Sequence, residues 1–198
     1  MNIYMVRHGQ TEMNVKRVYY GSTDCDINST GVLQAEKLSE FFKNIDLDII
    51  ISSDLKRAYH TAQIIKGDRN IDIVKDERLR EINFGDWENR TFSDIRENDP
   101  ENYKIWTKNW LDIKFPNGES YMEFASRIEK AFFDIIEKYK NYNNILITSH
   151  NGTLSSLLCT AIDAGQKNFW RFKIEHGTYT MISVNDGYSV LEKYNCNI

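Results

Sequence analysis

Apolar residues fall along the chain in two rhythms. Short continuous apolar runs occur at Asn2–Val6, Leu47–Ile51, Ile71–Val74 and Ile145–Ile147. Each is long enough for a buried strand and too short for a buried helix. Between them, apolar positions recur every three or four residues. Leu38, Phe41, Phe42 and Ile45 form one such stripe, and Leu55, Ala58, Ala62 and Ile65 a second. Phe124, Ile128, Ala131, Phe132, Ile135 and Tyr139 form a third, with a fourth at Leu154, Leu157, Leu158 and Ala161. That spacing predicts amphipathic helices. Residues 178–184 and 188–194 read as two strands joined at Asn185-Asp186-Gly187, where Asp-Gly favours a hairpin turn. Strands alternating with helices predict an α/β fold, a three-layer α/β/α arrangement on a mostly parallel central sheet.

The punctuation refines this picture. Ser52-Ser53-Asp54 reads as a helix N-cap signal, and Pro116-Asn117-Gly118 as a break. Residues 78–88 are irregular, charged and aromatic. Residues 91–115 are polar and carry tryptophans, which predicts short helices outside the central layer.

Composition narrows the class. A chain of 198 residues, 41% hydrophobic, is expected to form a single domain with a sizeable core. Its net charge of -4 argues against a nucleic-acid or anionic-membrane partner, which would need a basic surface. No run approaches the roughly 20 apolar residues of a membrane span, and the N-terminus lacks a signal-peptide pattern. Cys25, Cys159 and Cys196 are odd in number and widely spaced, so neither a disulfide framework nor a metal site is expected. The expected setting is the cytoplasm. The oligomeric state is left open.

Candidate chemistry lies where the apolar runs stop. In open α/β sheets ligands bind beyond the carboxyl ends of the strands. Three runs end in polar groups: Arg7-His8-Gly9, Ser53 with Arg57 just beyond, and His150. Two arginines and two histidines on one rim would hold a phosphate dianion through charge-assisted hydrogen bonds. Arginine neighbours lower the proton affinity of His8, keeping it neutral and nucleophilic. Attack on phosphorus would give a phosphohistidine and split one displacement into two. The departing alcohol then needs a proton from a carboxylic acid. Glu81, Asp86 and Glu88 are candidates, and spacing alone does not choose among them.

Arg7-His8-Gly9-Gln10-Thr11 with Asn14, Ser53–Ala58 with Thr61-Ala62, and Ser149-His150-Asn151-Gly152 together resemble the histidine phosphatase superfamily, the phosphoglycerate mutase-like proteins. Tyr20-Gly21 with Asp24, Gly31, Gln34 and Ala35 fits the same pattern, and the resemblance spans nearly the whole chain in order. It implies that His8 is the phosphorylated nucleophile. It implies that Arg7, Arg57, Asn14 and His150 are phosphate ligands, that Glu81 is the proton donor, and that Gly21 belongs to the substrate wall. It implies no metal and no cofactor, with a small-molecule phosphomonoester as partner. Asn151 departs from the glycine many members carry and is expected to alter only the pocket edge. Residues 83–120, with Asn83–Glu88, Tyr103, Trp106, Trp110 and Pro116–Ser120, resemble the α-ribazole phosphatase branch, which acts late in cobalamin nucleotide-loop assembly. They are the expected cap and specificity segment of the single domain 1–198.

Other readings compete. A broad-specificity sugar or metabolite phosphatase and a phosphomutase share the chemistry. A non-catalytic phospho-ligand binding module would need a missing nucleophile or acid, and neither is missing. A metallohydrolase on His8, His60 and His150 lacks a carboxylate–histidine cluster. No Gly-x-Ser-x-Gly elbow surrounds Ser120. His60 reads as a surface or packed histidine, His176 as a turn residue, and Arg127 and Lys130 as a solvated face. Trp87, Trp106 and Trp110 read as packing of the cap more than as a stacking surface, and Asp86 and Glu88 as solvated or loop-ordering carboxylates.

Overall fold

A computed structural model describes residues 1–198. Its strands are β1 Asn2–Arg7, β2 Ile49–Ser52, β3 Ile73–Lys75, β4 Asn144–Ser149, β5 Tyr179–Asn185 and β6 Tyr188–Cys196. The helices are α1 Glu12–Lys16, α2 Ser29–Phe42, α3 Lys56–Lys66, α4 Phe92–Asn98, α5 Pro100–Lys108, α6 Tyr121–Lys138 and α7 Asn151–Ala161. One sheet runs in the order β3-β2-β4-β1-β5-β6. β1 to β4 pair in parallel, and β5 and β6 close one edge as an antiparallel hairpin.

Alternate residues of each inner strand enter different layers, which is why the runs are apolar throughout rather than every second residue. Tyr4, Val6, Ile50 and Leu146 pack against Leu38, Phe42, Ala62 and Ile65 of α2 and α3. Ile3, Met5, Ile49, Ile51, Ile145 and Ile147 pack against α6 and α7 through residues such as Phe124, Ile128, Phe132 and Leu157. The expected three layers are present. The hairpin turn is also as expected: Asn185 pairs with Tyr188, and Asp186 and Gly187 between them have φ of 47° and 78°, as a type I′ turn requires.

Two local expectations fail. Ser52-Ser53-Asp54 does not cap α3. Leu55 occupies the cap position without a side-chain bond, and the Lys56 N–H donates instead to Asp24 Oδ1 at 2.8 Å. Asp54 is drawn off into an ion pair with Arg80, and the Ser53 hydroxyl meets His150. Ile45 lies beyond the end of α2 at Phe42, although it still packs against the core.

The topology determines where a site can form. From β1 the chain crosses to β2 on one side, and from β4 it crosses to β5 on the other. β1 and β4 are neighbours, so their carboxyl ends flank a switch point. His8 follows β1, and His150 follows β4. No helix is long and apolar enough to cross a membrane.

Candidate active site

His8 and His150 lie with ring centroids 5.2 Å apart at this switch point, both almost fully buried. The His8 backbone is fixed by its N–H donating to Ser149 O at 2.9 Å. Its ring Nδ1 lies 2.8 Å from Gly9 O. A carbonyl can only accept, so Nδ1 carries the proton and Nε2 keeps its lone pair. Gly9 is required here: a Cβ would lie 2.4 Å from Gly31 O. Burial, reinforced by His150, Arg57 and Arg7, holds the His8 pKa well below the usual value. His8 is therefore a neutral imidazole at physiological pH.

Arg57 sits in the first turn of α3 and is fully buried. Its Nη2 donates to Gly21 O at 2.7 Å, its Nη1 to Thr23 O at 2.8 Å, and its Nε to His150 Nδ1 at 3.1 Å. A guanidinium has five N–H donors, so two remain for an anion. Because arginine can only donate, His150 Nδ1 is unprotonated and its Nε2–H meets Ser53 Oγ at 2.9 Å. Burial and the two arginines keep His150 uncharged as well. Arg7 donates from Nη1 to Ile174 O at 3.0 Å, while its buried Nε has no partner. An unpaired buried donor costs about 1–3 kcal/mol, so Arg7 is set up for an acceptor that the chain does not itself supply.

Glu81 completes the ring. Its carboxylate accepts from the Gly152 N–H at 2.9 Å and the Ile82 N–H at 3.1 Å. Burial nevertheless raises its pKa above the ordinary carboxyl value, against the pull of those N–H groups and of Arg57 and Arg7. A carboxyl in this position can hold a proton longer than a surface one. Asp86 and Glu88 are engaged elsewhere. Asp86 accepts from Asn117 Nδ2. Glu88 gathers the Gly21, Ser22, Thr23 and Phe84 N–H groups and so orders the loop that carries Gly21 and Thr23 to Arg57.

Gly21 has both backbone polar groups engaged, by Glu88 and Arg57, and a Cβ there would collide with Ile82 O. It anchors Arg57 rather than opening onto the cavity. Asn14 does line the cavity. Its Oδ1 accepts the Thr11 N–H at 3.0 Å in a capping box, which leaves its amide N–H groups available. The Asn151 side chain accepts the Ile174 N–H at 2.8 Å and edges the same cavity.

That cavity has a volume of about 260 Å³. Arg7, Asn14, Glu81 and Gly152 line it together with the aromatic Tyr19, Phe84, Trp106 and Trp170. Trp106 is tied by its Nε1 to Tyr19 Oη at 3.0 Å. Trp87, by contrast, is 1% exposed and its Nε1 donates to Asp99. Trp110 packs among Tyr121, Phe169 and Trp170. The packing expectation holds for Trp87 and Trp110. It also holds for Trp106, which packs among Tyr19, Trp87, Phe115 and Trp170 while lining the cavity as well. Trp170 lines it too, with no signal in the sequence.

Two further expectations are corrected. His176 is not merely a turn residue. Its ring centroid is 5.4 Å from that of His8, and its Nδ1 meets His8 O at 2.7 Å. A parallel bridge between Arg7 and His176 brings it there, a long-range pairing that no local pattern reveals. Arg127 is not a solvated residue. It is paired bidentately with Glu119 and donates to the carbonyls of Arg78 and Arg80, with a longer contact to that of Glu81, while Glu119 accepts the Asn83 N–H. The pair brackets Glu81 on both sides. Lys130 is solvated as expected and pairs with Asp134. His60 is a surface residue paired with Asp26 at 2.8 Å. No group of three or more His, Cys, Asp or Glu side chains is arranged to hold a metal ion.

Residues 3–197 match the histidine phosphatase superfamily (branch 1). The chain is 32% identical over 195 residues to the adenosylcobalamin/alpha-ribazole phosphatase of Escherichia coli K12, covering 98% of this chain and 96% of that protein. It is 28% identical over 195 residues to phosphoserine phosphatase 1 of Hydrogenobacter thermophilus, covering 98% and 92%. The crystal structure of the alpha-ribazole phosphatase from Shigella flexneri superposes with a TM-score of 0.95 at 33% identity, covering 99% of this chain and 96% of that one. With residues 3–197 matching its model, the chain belongs to the histidine phosphatase superfamily, branch 1, and is a phosphatase acting on small-molecule phosphate esters.

Proposed function

We propose that the chain hydrolyses α-ribazole 5′-phosphate, or the corresponding cobamide phosphate, by way of a phosphohistidine on His8. The observation that carries the substrate assignment is the 260 Å³ aromatic cavity bordered by Arg7 and Glu81. An ester bound with its phosphate at Arg7 would place its leaving group beside Glu81 and between Tyr19, Phe84, Trp106 and Trp170. The volume is slightly under the usual range of about 300–1,000 Å³ for ligand pockets. It suits a flat bicyclic base and leaves any larger attached ring system outside. The names of the Escherichia and Shigella relatives support the same reading.

In this mechanism Arg7, Arg57 and the Asn14 amide bind the phosphoryl oxygens, and His150 keeps the Arg57 guanidinium in plane. The neutral Nε2 of His8 attacks phosphorus as the ester P–O bond breaks, and Glu81 gives its proton to the departing oxygen. The Glu81 carboxylate then takes a proton from water. The resulting hydroxide attacks phosphorus, the P–N bond breaks, and inorganic phosphate leaves with His8 restored. Positioning and charge stabilisation supply most of the acceleration in such transfers. No step uses a metal or a cofactor. We further propose that residues 1–198 form one domain in which residues 83–120 act as the specificity segment. We place the chain in the cytoplasm, which its three free cysteines support.

The test is kcat/KM for α-ribazole 5′-phosphate against phosphoserine, 3-phosphoglycerate and simple nucleoside monophosphates. The expected result is a preference of about fivefold to a hundredfold over phosphoserine and 3-phosphoglycerate, which have no ring to stack, from stacking worth roughly 1–3 kcal/mol per base, and a smaller margin over nucleoside monophosphates. Parity, or preference for phosphoserine or a sugar phosphate, would remove the substrate assignment and leave the phosphatase chemistry intact. Saturating EDTA is expected to leave the rate unchanged.

A further inference from the structure

Three imidazoles meet at the carboxyl ends of β1 and β4, and the reaction outlined above uses only two. The third, His176, comes from the loop before β5. Its Nδ1 is 2.7 Å from His8 O, so Nδ1 is the protonated nitrogen and donates to that carbonyl. The other end of the same peptide group is also held. The Gly9 N–H donates to Thr61 Oγ1 at 3.0 Å, and Thr61 in turn donates to Arg57 O at 2.7 Å. The His8–Gly9 peptide plane is thus gripped at its C=O by His176 and at its N–H by Thr61. The next carbonyl along, Gly9 O, is the acceptor that holds the His8 ring by Nδ1.

We infer that His176 is a positioning residue for the nucleophile: by fixing the His8–Gly9 peptide, it aims Gly9 O at His8 Nδ1 and so selects the tautomer whose Nε2 attacks phosphorus. The inference rests on His8 being that nucleophile. The loop is built to hold His176 there. Arg7 donates to Ile174 O, and Asn151 accepts the Ile174 N–H, so two residues of the site anchor it two positions earlier. Gly177, at φ +71°, turns the chain immediately afterwards. If the peptide is released, Gly9 O swings and the His8 ring can redistribute its proton to Nε2, the nitrogen that must be bare. A displacement of about 1 Å at such a point can cost about 10²-fold in rate.

The side chain's shape makes the test specific. In His and in Asn the δ nitrogen stands two bonds beyond Cβ, so His176→Asn keeps a donor near the same place, whereas His176→Leu fills similar space without one. The expected result is a loss of about 10²-fold in kcat for His176→Leu with KM within about twofold, and near-wild-type turnover for His176→Asn. The loss should be equal on alkyl and p-nitrophenyl phosphates, because it falls on the nucleophile and not on the proton donor. In ¹⁵N-labelled protein without substrate, the His8 imidazole should read as Nδ1–H in wild type and His176→Asn, and show Nε2–H signal in His176→Leu. That spectrum stands apart from turnover, so it remains decisive even where the nucleophile assignment is tested separately by His8→Ala. An unchanged His8 tautomer in a folded His176→Leu overturns the inference. So does wild-type kcat in that variant, or an equal loss in His176→Asn.

Discussion

The phosphate cup and the aromatic cavity beside it share a wall but are built on opposite principles. The cup groups hang on the ends of β1 and β4 and the first turn of α3, oriented by hydrogen bonds to one another and to nearby backbone carbonyls, while Arg7 Nε and two Arg57 N–H donors remain without partners. The cavity's aromatic lining comes from residues scattered over four parts of the chain, Tyr19, Phe84, Trp106 and Trp170, joined by ring-edge contacts and one hydrogen bond. In the proposed mechanism the cup would bind what all phosphate esters have in common, and the cavity would meet what differs among them.

This division can be broken from either side, and the cup should give the largest effect. His8→Ala is expected to abolish turnover of every phosphomonoester, whatever its leaving group. Rapid quenching of the wild type with labelled substrate should leave an acid-labile, base-stable label on the protein. Substantial turnover by His8→Ala would sink the assignment.

Glu81 belongs to both regions and should separate them. Glu81→Gln is expected to lose about 10²–10⁴-fold on alkyl phosphates and far less on p-nitrophenyl phosphate, whose leaving group hardly needs a proton. Arg127→Met, which frees the segment around Glu81, should show the same asymmetry in milder form. Equal losses on both ester types would detach the proton from Glu81.

The aromatic lining should govern choice without governing chemistry. Trp106→Ala and Trp170→Ala are each expected to lower kcat/KM for α-ribazole 5′-phosphate by about fivefold to a hundredfold. Their values on phosphoserine should stay within a few fold. A uniform drop on all substrates would mean that the tryptophans support the cup and do not select the base.

How far each region could be read in the sequence follows from the same contrast. His8, Arg57 and His150 lie where apolar runs end, so periodicity and a short polar motif locate them together. The three-layer order follows from strands that are apolar on both faces. Trp170 and His176 gave no such signal. Each reaches the site through long-range packing, His176 by a bridge to Arg7 across the sheet. Arg127 looked solvated because its helix neighbours are charged; only the tertiary fold brings the carbonyls of residues 78–81 to it. The Ser53 and Asp54 cap signal failed because His150 and Arg80 compete for those side chains. Spacing could not tell Glu81 from Asp86 and Glu88, and only the family resemblance chose it, because their hydrogen-bond partners, which the tertiary fold sets, distinguish them.

The smallest predicted effect concerns stability and marks the cup by its charge. His8 and His150 are held well below the ordinary histidine pKa by burial and nearby arginines, and His176 is pushed down to about 4 by burial and Arg7. Each binds a proton more readily when unfolded than when folded. Stability from these groups is therefore full above the unfolded value of about 6.5 and is lost as pH falls below it. At pH 5.5, below that value, each should have cost the folded state on the order of 1 kcal/mol. Glu81 is shifted the other way, so its contribution is fully present below the ordinary glutamate pKa and is lost as pH rises through the raised one. The histidines dominate between pH 7.5 and 5.5 because they are three against one. Urea unfolding of the wild type should thus show a drop of a few kcal/mol, on the order of 1 per histidine, across that interval. His176→Asn should reduce the drop by about a third. Trp106→Ala should lower stability at both pH values and leave the difference between them unchanged, because the aromatic wall carries no titrating group in this range. A pH dependence that is the same in His176→Asn as in wild type would show that the third imidazole is not held neutral by the cup.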